Sequence, residues 1–188
     1  MEKRLFALVA LFFVLVSGSK AQISMTDNYS RIYGGYTNMG AFDAPSYSEN
    51  DHGFLVGYTY GFNVTKSTMP LFVEIGAEYS MVMGGEKPLN ETIHMISIPL
   101  SLTYKIGNDM VNVAPNAGLD LRYNVASSIN GISISDSMST IQGGWHAGAN
   151  VNFKNVTIGY KFTGMFNELV EHSGMSNYSN SIILGFCF

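Results

Sequence analysis

The sequence predicts an all-β fold, a single eight-stranded antiparallel up-and-down barrel that crosses a membrane with its strands. Three observations predict it. Apolar residues alternate with small or polar ones through eight separate segments, and a period of two is what a pleated strand imposes. The connections between segments alternate between long polar stretches and short turns, as in a chain running back and forth between the two sides of a bilayer. Charged residues are only 13% of the 188-residue chain, while hydrophobic residues reach 46%. A soluble β-sandwich needs Lys and Glu on its outer faces, and typical charged usage is about 25%.

The amino terminus has the pattern of a secretory signal peptide. Glu2-Lys3-Arg4 is the charged start, Leu5 to Val16 is unbroken apolar chain, and Ser17 to Ala21 supplies small residues and an Ala-type cleavage site before Gln22. Residues 1–21 are therefore expected to be removed, leaving 22–188 as one barrel domain. The remaining chain carries seven basic and thirteen acidic residues, a net charge of −6, which does not suit nucleic-acid binding. Beyond the signal segment no run approaches the ~20 apolar residues of a spanning helix. Cys187 is the only cysteine, so neither an internal disulfide nor a cysteine metal site is available. His52, His94, His146 and His172 are scattered without ligand spacing, and no metal or other cofactor is expected.

Each strand can be read in turn. The first candidate, Tyr29 to Asn38, alternates poorly, and its facing is open. A polar stretch to His52 follows. In the second, Gly53 to Asn63, the residues Phe54, Val56, Tyr58, Tyr60 and Phe62 oppose Gly57, Thr59 and Gly61. After a link ending at Pro70, the third sets Leu71, Val73, Ile75, Ala77, Tyr79 and Met81 against Phe72, Glu74, Gly76, Glu78 and Ser80. Gly84 to Glu91 reads as a loop. The fourth sets Ile96, Ile98, Leu100, Leu102, Tyr104 and Ile106 against Ser97, Pro99, Ser101, Thr103 and Lys105, with Pro99 unable to donate to a ladder. Gly107-Asn108-Asp109 is a tight turn.

The fifth strand, Val111 to Val125, alternates most cleanly, and Ala126 to Ile141 reads as a wide Ser/Asn/Gly-rich loop. The sixth sets Trp145, Ala147, Ala149, Val151 and Phe153 against His146, Gly148, Asn150 and Asn152. Lys154-Asn155 then gives a two-residue hairpin. The seventh sets Val156, Ile158, Tyr160, Phe162 and Phe166 against Thr157, Gly159, Lys161 and Thr163. After a polar loop from Asn167 to Asn177, the last strand runs to the final residue. Tyr178, Asn180, Ile182, Leu184, Phe186 and Phe188 share one of its faces.

Alternation alone does not say which face is inside, because a soluble lipocalin-type barrel alternates too. The polar face decides. It is mostly Gly, Ser, Thr and Asn, which suits a narrow interior. The apolar face carries Tyr58, Tyr60, Phe62, Tyr104, Tyr123, Phe153, Phe166 and Phe188 near strand ends, where an interfacial girdle lies. In hydrocarbon every backbone group must pair internally, so the barrel must close.

With its signal segment, its alternating loops and a terminal strand ending in Phe186 and Phe188, the chain resembles the small outer-membrane β-barrel family, the OmpA/OmpX-like and PorT-like barrels. The resemblance implies a gram-negative outer-membrane location and a surround of outer-membrane lipid and lipopolysaccharide. It also implies a monomer whose last strand, through Phe186 and Phe188, is read by the barrel-assembly machinery. Asp136-Ser137-Met138 resembles an O-glycosylation acceptor of some gram-negative envelopes, although an ordinary loop triplet reads the same way.

By facing, Glu74, Glu78, Lys105, Asp120, Arg122, His146 and Lys161 point into the barrel. Eight strands leave a lumen that side chains just fill, and buried charges must pair, so these residues are expected to form a salt-bridged plug. The anticipated pair is Arg122 with Glu78 or Asp120. A polar conduit is the alternative, which would make the protein a narrow, porin-like pore for small solutes. Some barrels of this family acylate or deacylate lipid A with a His/Ser pair and an acid near the outer rim. The corresponding residues here would be Glu168, Glu171, His172 and Ser173. His172 and Ser173 are adjacent, however, and the family's His-x-Ser spacing is absent. The expected function is thus non-enzymatic, structural or surface-interacting through loops 39–52, 84–91, 126–141 and 167–177. The narrow pore and the lipid-modifying enzyme are the alternatives.

Overall fold

Successive side chains of a strand point to opposite faces, so eight alternating segments create two surfaces, one apolar and one polar. In the computed structural model, which describes residues 24–41, 51–65, 69–84, 90–134, 138–169 and 176–188, those surfaces are the outside and inside of a closed barrel. The strands are β1 (Tyr29–Ala41), β2 (Asp51–Asn63), β3 (Leu71–Gly84), β4 (Glu91–Tyr104), β5 (Val111–Ile129), β6 (Ile141–Phe153), β7 (Val156–Glu168) and β8 (Ser176–Cys187). Two short segments, Ile106–Gly107 and Ile132–Ser133, also pair with β5. The signal segment, Ser137 and Glu171-His172-Ser173 lie outside the described residues.

Every long strand pairs antiparallel with its sequence neighbours, and β1 pairs with β8 from Arg31↔Cys187 to Ala41↔Asn177, which closes the sheet. The terminal residue is part of that seam. Ser30 N–H donates to the Phe188 carbonyl, and Phe188 N–H to that of Ser30, each at 2.9 Å. No edge is left for lipid to strand.

Strand β4 shows the inside-out character. Ile98, Leu100 and Leu102 are 47%, 47% and 53% exposed, whereas Ser97, Ser101 and Thr103 between them are buried. Such an apolar band over the whole outer wall exceeds anything a soluble monomer exposes, and hydrocarbon is the solvent it fits. The aromatic side chains read as a girdle are all exposed on this wall. Phe186 departs from the expectation. It is only 8% exposed, opposite Ile32 and Val156, while its alternation mates Leu184 and Phe188 are open.

The first strand, whose facing the sequence left open, turns Tyr29, Arg31, Tyr33, Thr37 and Met39 inward. Glycines on β2 make room for its large rings. Tyr29 pairs with Gly61 and Tyr33 with Gly57, and a Cβ at Gly57 would lie 2.5 Å from the Tyr33 ring.

Three strand ends differ from the sequence reading. The wide loop expected from residue 126 begins only at Asn130, because β5 continues to Ile129. A bulge at Val125, between the pairs His94↔Ala126 and Met95↔Asn124, breaks the alternation there. Asn130 and Gly131, with φ of 52° and 79°, then form the two-residue turn that brings Ile132 back against Ile129. Similarly, β1 and β2 extend into the expected 39–52 loop, reaching Ala41 and starting at Asp51. The β3–β4 ladder lapses between Ile75↔Leu100 and Glu78↔Ser97, beside Pro99, which has no N–H to give. Lys154-Asn155 forms the expected tight hairpin, with Phe153 opposite Val156.

Candidate functional site: the barrel lumen

The inward residues stack in layers between the end with the short turns and the end with the longer loops. At the turn end Tyr29, Phe72 and Cys187 form a buried cluster, with the Tyr29 and Phe72 ring centroids 5.2 Å apart. Lys105 lies over both rings, its Nζ 3.9 Å and 4.3 Å from their centroids. At the loop end Met39, Val82, Ile93, Met95 and Met138 make a second apolar cluster, joined by Ile134 and Leu169. The polar layers lie between.

Glu74, Glu78, Lys105, Asp120, Arg122 and His146 are buried in this lumen, and the Lys161 side chain is 14% exposed. The structure adds Arg31, which the sequence reading missed. Arg31 Nη2 donates to Glu74 Oε2 at 2.9 Å, and the Tyr29 hydroxyl donates to the other Glu74 oxygen. Two inward positions further toward the loop end, Lys161 Nζ donates to Glu78 Oε2 at 2.7 Å and the Tyr33 hydroxyl donates to the same oxygen at 3.0 Å. Each β3 carboxylate thus holds one permanent cation and one phenol. A carboxylate buried without such donors would be held at a cost of several kcal/mol.

The anticipated partnership of Arg122 with Glu78 or Asp120 is not formed. Glu78 is taken by Lys161 and Tyr33, and Asp120 by His146. Arg122 sits two residues from Asp120 on the same strand, so it stands beside that carboxylate rather than facing it. Its Nε and Nη1 are buried without a hydrogen-bond partner among the described residues. Among the described residues the lumen holds four Lys and Arg side chains, Arg31, Lys105, Arg122 and Lys161, against three carboxylates.

The Asp120 layer has a distinct construction. Ser101 on β4 and His146 on β6 are both register partners of Gly118 on β5. Gly118 has no side chain, so the two residues meet across it, with Ser101 Oγ 2.7 Å from His146 Nε2. The other ring nitrogen, Nδ1, is bonded to Asp120 Oδ2. A carboxylate only accepts, so Nδ1 carries a proton, and in the neutral ring Nε2 accepts from the serine hydroxyl. All three side chains are buried. A cavity of about 30 Å³ lies against Ser101 and His146, lined also by Arg31, Lys161, Asn116 and Asn150. Space of this size holds one or two waters.

The chain matches the family described as outer membrane protein beta-barrel domain over residues 6–186. It belongs to that family. Among solved structures, the barrel is similar to Ail, the attachment invasion locus protein of Yersinia pestis, at 18% identity and TM-score 0.53, over 86% of this chain and 99% of that one. It is also similar to the outer membrane enzyme PagL, at 15% identity and TM-score 0.56, over 85% and 99% of the two chains. Neisserial surface protein A matches at 16% identity and TM-score 0.53, over 86% and 97%. No curated protein matches the chain in sequence. At these identities the likeness is one of fold. Membership of the family places the barrel in a bacterial outer membrane.

Of the residues weighed for lipid modification, only Glu168 is described. It ends β7 opposite Ser176 at the loop end, and its backbone carbonyl accepts from Gln142 Nε2 at 3.2 Å. Among the described residues no group of three or more His, Cys, Asp or Glu could hold a metal ion.

Proposed function

We propose that this protein is a non-conducting outer-membrane barrel that acts through its lipid-facing wall and the loops at one end, as a structural or surface-interacting component of the envelope. The observation that carries this reading is the filling of the lumen. Three carboxylates are engaged by Arg31, Lys161 and His146, and apolar clusters lie above and below them. In an eight-stranded barrel the interior is just wide enough for side chains, and an ion crossing this one would have to displace both clusters. On this reading the loop end faces outward and the turn end faces the periplasm. The outer wall meets lipid and lipopolysaccharide, the barrel is monomeric, and the terminal strand with Phe186 and Phe188 is read by the assembly machinery. The structural neighbours include an attachment invasion locus protein and an enzyme, so their shared fold does not by itself choose among roles.

Planar bilayer recording on refolded, heat-modifiable protein tests the reading. Silent membranes are expected. Discrete conductance steps that change when Glu78→Gln or Lys161→Met alters the interior charge would establish the narrow pore instead.

A further inference from the structure

The ion pairs on β3 fill the lumen, but the Ser101–His146–Asp120 row holds more than filling requires. A buried histidine is satisfied by any donor and acceptor. Here the acceptor is a carboxylate on Nδ1, and the group on Nε2 is a hydroxyl 2.7 Å away that also lines a cavity. This is the order of contacts in which an imidazole acts as general base toward a hydroxyl, the carboxylate fixing its tautomer and stabilising the imidazolium that forms. Thr103, one alternation further along the same face of β4, is as deeply buried, and its hydroxyl has no partner among the described residues. The cavity is also lined by Arg31 from β1, Lys161 from β7, Asn116 and Asn150, whose N–H groups are of the kind that stabilise a developing oxyanion.

We propose that Ser101 is an activated nucleophile, with His146 as its general base and Asp120 as a positioning residue, and that it accepts the acyl group of small esters. Ser101 Oγ attacks the ester carbonyl as its proton passes to His146 Nε2. The tetrahedral intermediate collapses, the carbon–oxygen bond to the alcohol breaks, and the alcohol leaves with the proton from His146. A water in the cavity, deprotonated by the same imidazole, then releases the acid and restores the serine. No oxidant or other co-reactant is needed. The cavity limits the acyl group to about the size of acetyl, since it has room for only one or two waters. An ester must pass one of the two apolar clusters to reach the cavity, so the assignment needs one end of the lumen to open, which a barrel closed to ions at its other end permits.

Methanesulfonyl fluoride is a probe of matching size. Its sulfur takes the place of the carbonyl carbon and fluoride is the leaving group. Folded barrel, verified by heat-modifiable gel mobility, is incubated with the reagent and analysed by intact mass and peptide mapping. The expected result is a single adduct on Ser101, forming faster at higher pH, where an imidazole is neutral and can accept the serine proton. His146→Gln should slow labelling by about a hundredfold or more. Asp120→Asn should slow it by about a thousandfold and displace the pH profile, because the imidazole is then held in the wrong tautomer. A folded wild-type barrel that carries no adduct on Ser101 overturns the assignment, and so does labelling that proceeds equally fast in folded His146→Gln. The wild-type arm decides the matter even if a variant fails to fold.

Discussion

The carboxylates on β3 and the carboxylate on β5 meet their partners in different ways. Glu74 and Glu78 each take an Arg or Lys from another strand and a phenol from β1, residue types that ordinarily do not titrate near neutrality. Asp120 instead takes a histidine, the one side chain that ordinarily titrates near neutrality, while Nε and Nη1 of Arg122, two residues along, have no hydrogen-bond partner among the described residues. The first arrangement minimises uncompensated charge and suits a plug. The second leaves two guanidinium nitrogens of Arg122 unbonded and gives its carboxylate to an imidazole. On the proposed reading of Ser101, the β4–β5–β6 wall is the place where chemistry was favoured over pairing.

The largest effect that can break this comparison is at Glu74. Glu74→Gln leaves Arg31 charged and buried and weakens the acceptor of Tyr29, and removing one partner of a buried pair costs about 3–5 kcal/mol. Urea titration in lipid vesicles, followed by fluorescence of the lone Trp145, should show that loss. Replacing both partners in Glu74→Gln/Arg31→Met should recover most of it. A cost below about 1 kcal/mol for the single variant would mean that the β3 pairs are no tighter than surface ion pairs.

The next effect is steric and belongs to the same β1–β3 region. Tyr33 reaches Glu78 only because Gly57 lets its ring lie flat on β2. Gly57→Ala should cost about 1–3 kcal/mol through overpacking, with displacement of the phenol from Glu78 included. Gly143→Ala is the control, since a Cβ there meets nothing nearer than Phe166 Cδ2 at 3.9 Å. Equal stability of the two variants in the same urea titration would show that Tyr33 is not wedged.

The barrel itself was legible because lipid imposes a strict rule, and alternation on β2 to β8 follows it. The exceptions have local causes. Val125 bulges, so two successive outward residues precede Ser127 and the strand seemed to end. The Asn130-Gly131 pair between Ile129 and Ile132 carried the missed hairpin signal. Arg31 was missed because the outward face of β1 mixes Ser30, Ile32, Gly34 and Asn38, which hides the inward series Tyr29, Arg31, Tyr33. A large aromatic on either side of an arginine at strand spacing, facing a glycine-rich neighbour, was the available clue. The Ser101–His146–Asp120 row was not legible, because it joins three strands through their register. The adjacent His172 and Ser173 are what the sequence offers for a nucleophile and base, and both lie outside the described residues.

The smallest predicted effect sharpens the comparison most. If Arg122 were a structural cation like Arg31, its removal should hurt as Glu74→Gln does. Its two orphaned nitrogens, Nε and Nη1, instead carry a desolvation cost of about 1–3 kcal/mol that removal relieves. Against this stands the through-space attraction of Asp120 and Glu78 and the packing of its stem. These terms nearly cancel, so Arg122→Met should change stability by no more than about 1 kcal/mol, toward greater stability. A loss of several kcal/mol in Arg122→Met would instead place Arg122 in the plug, and the β4–β5–β6 wall would be another ion-paired layer like the one on β3.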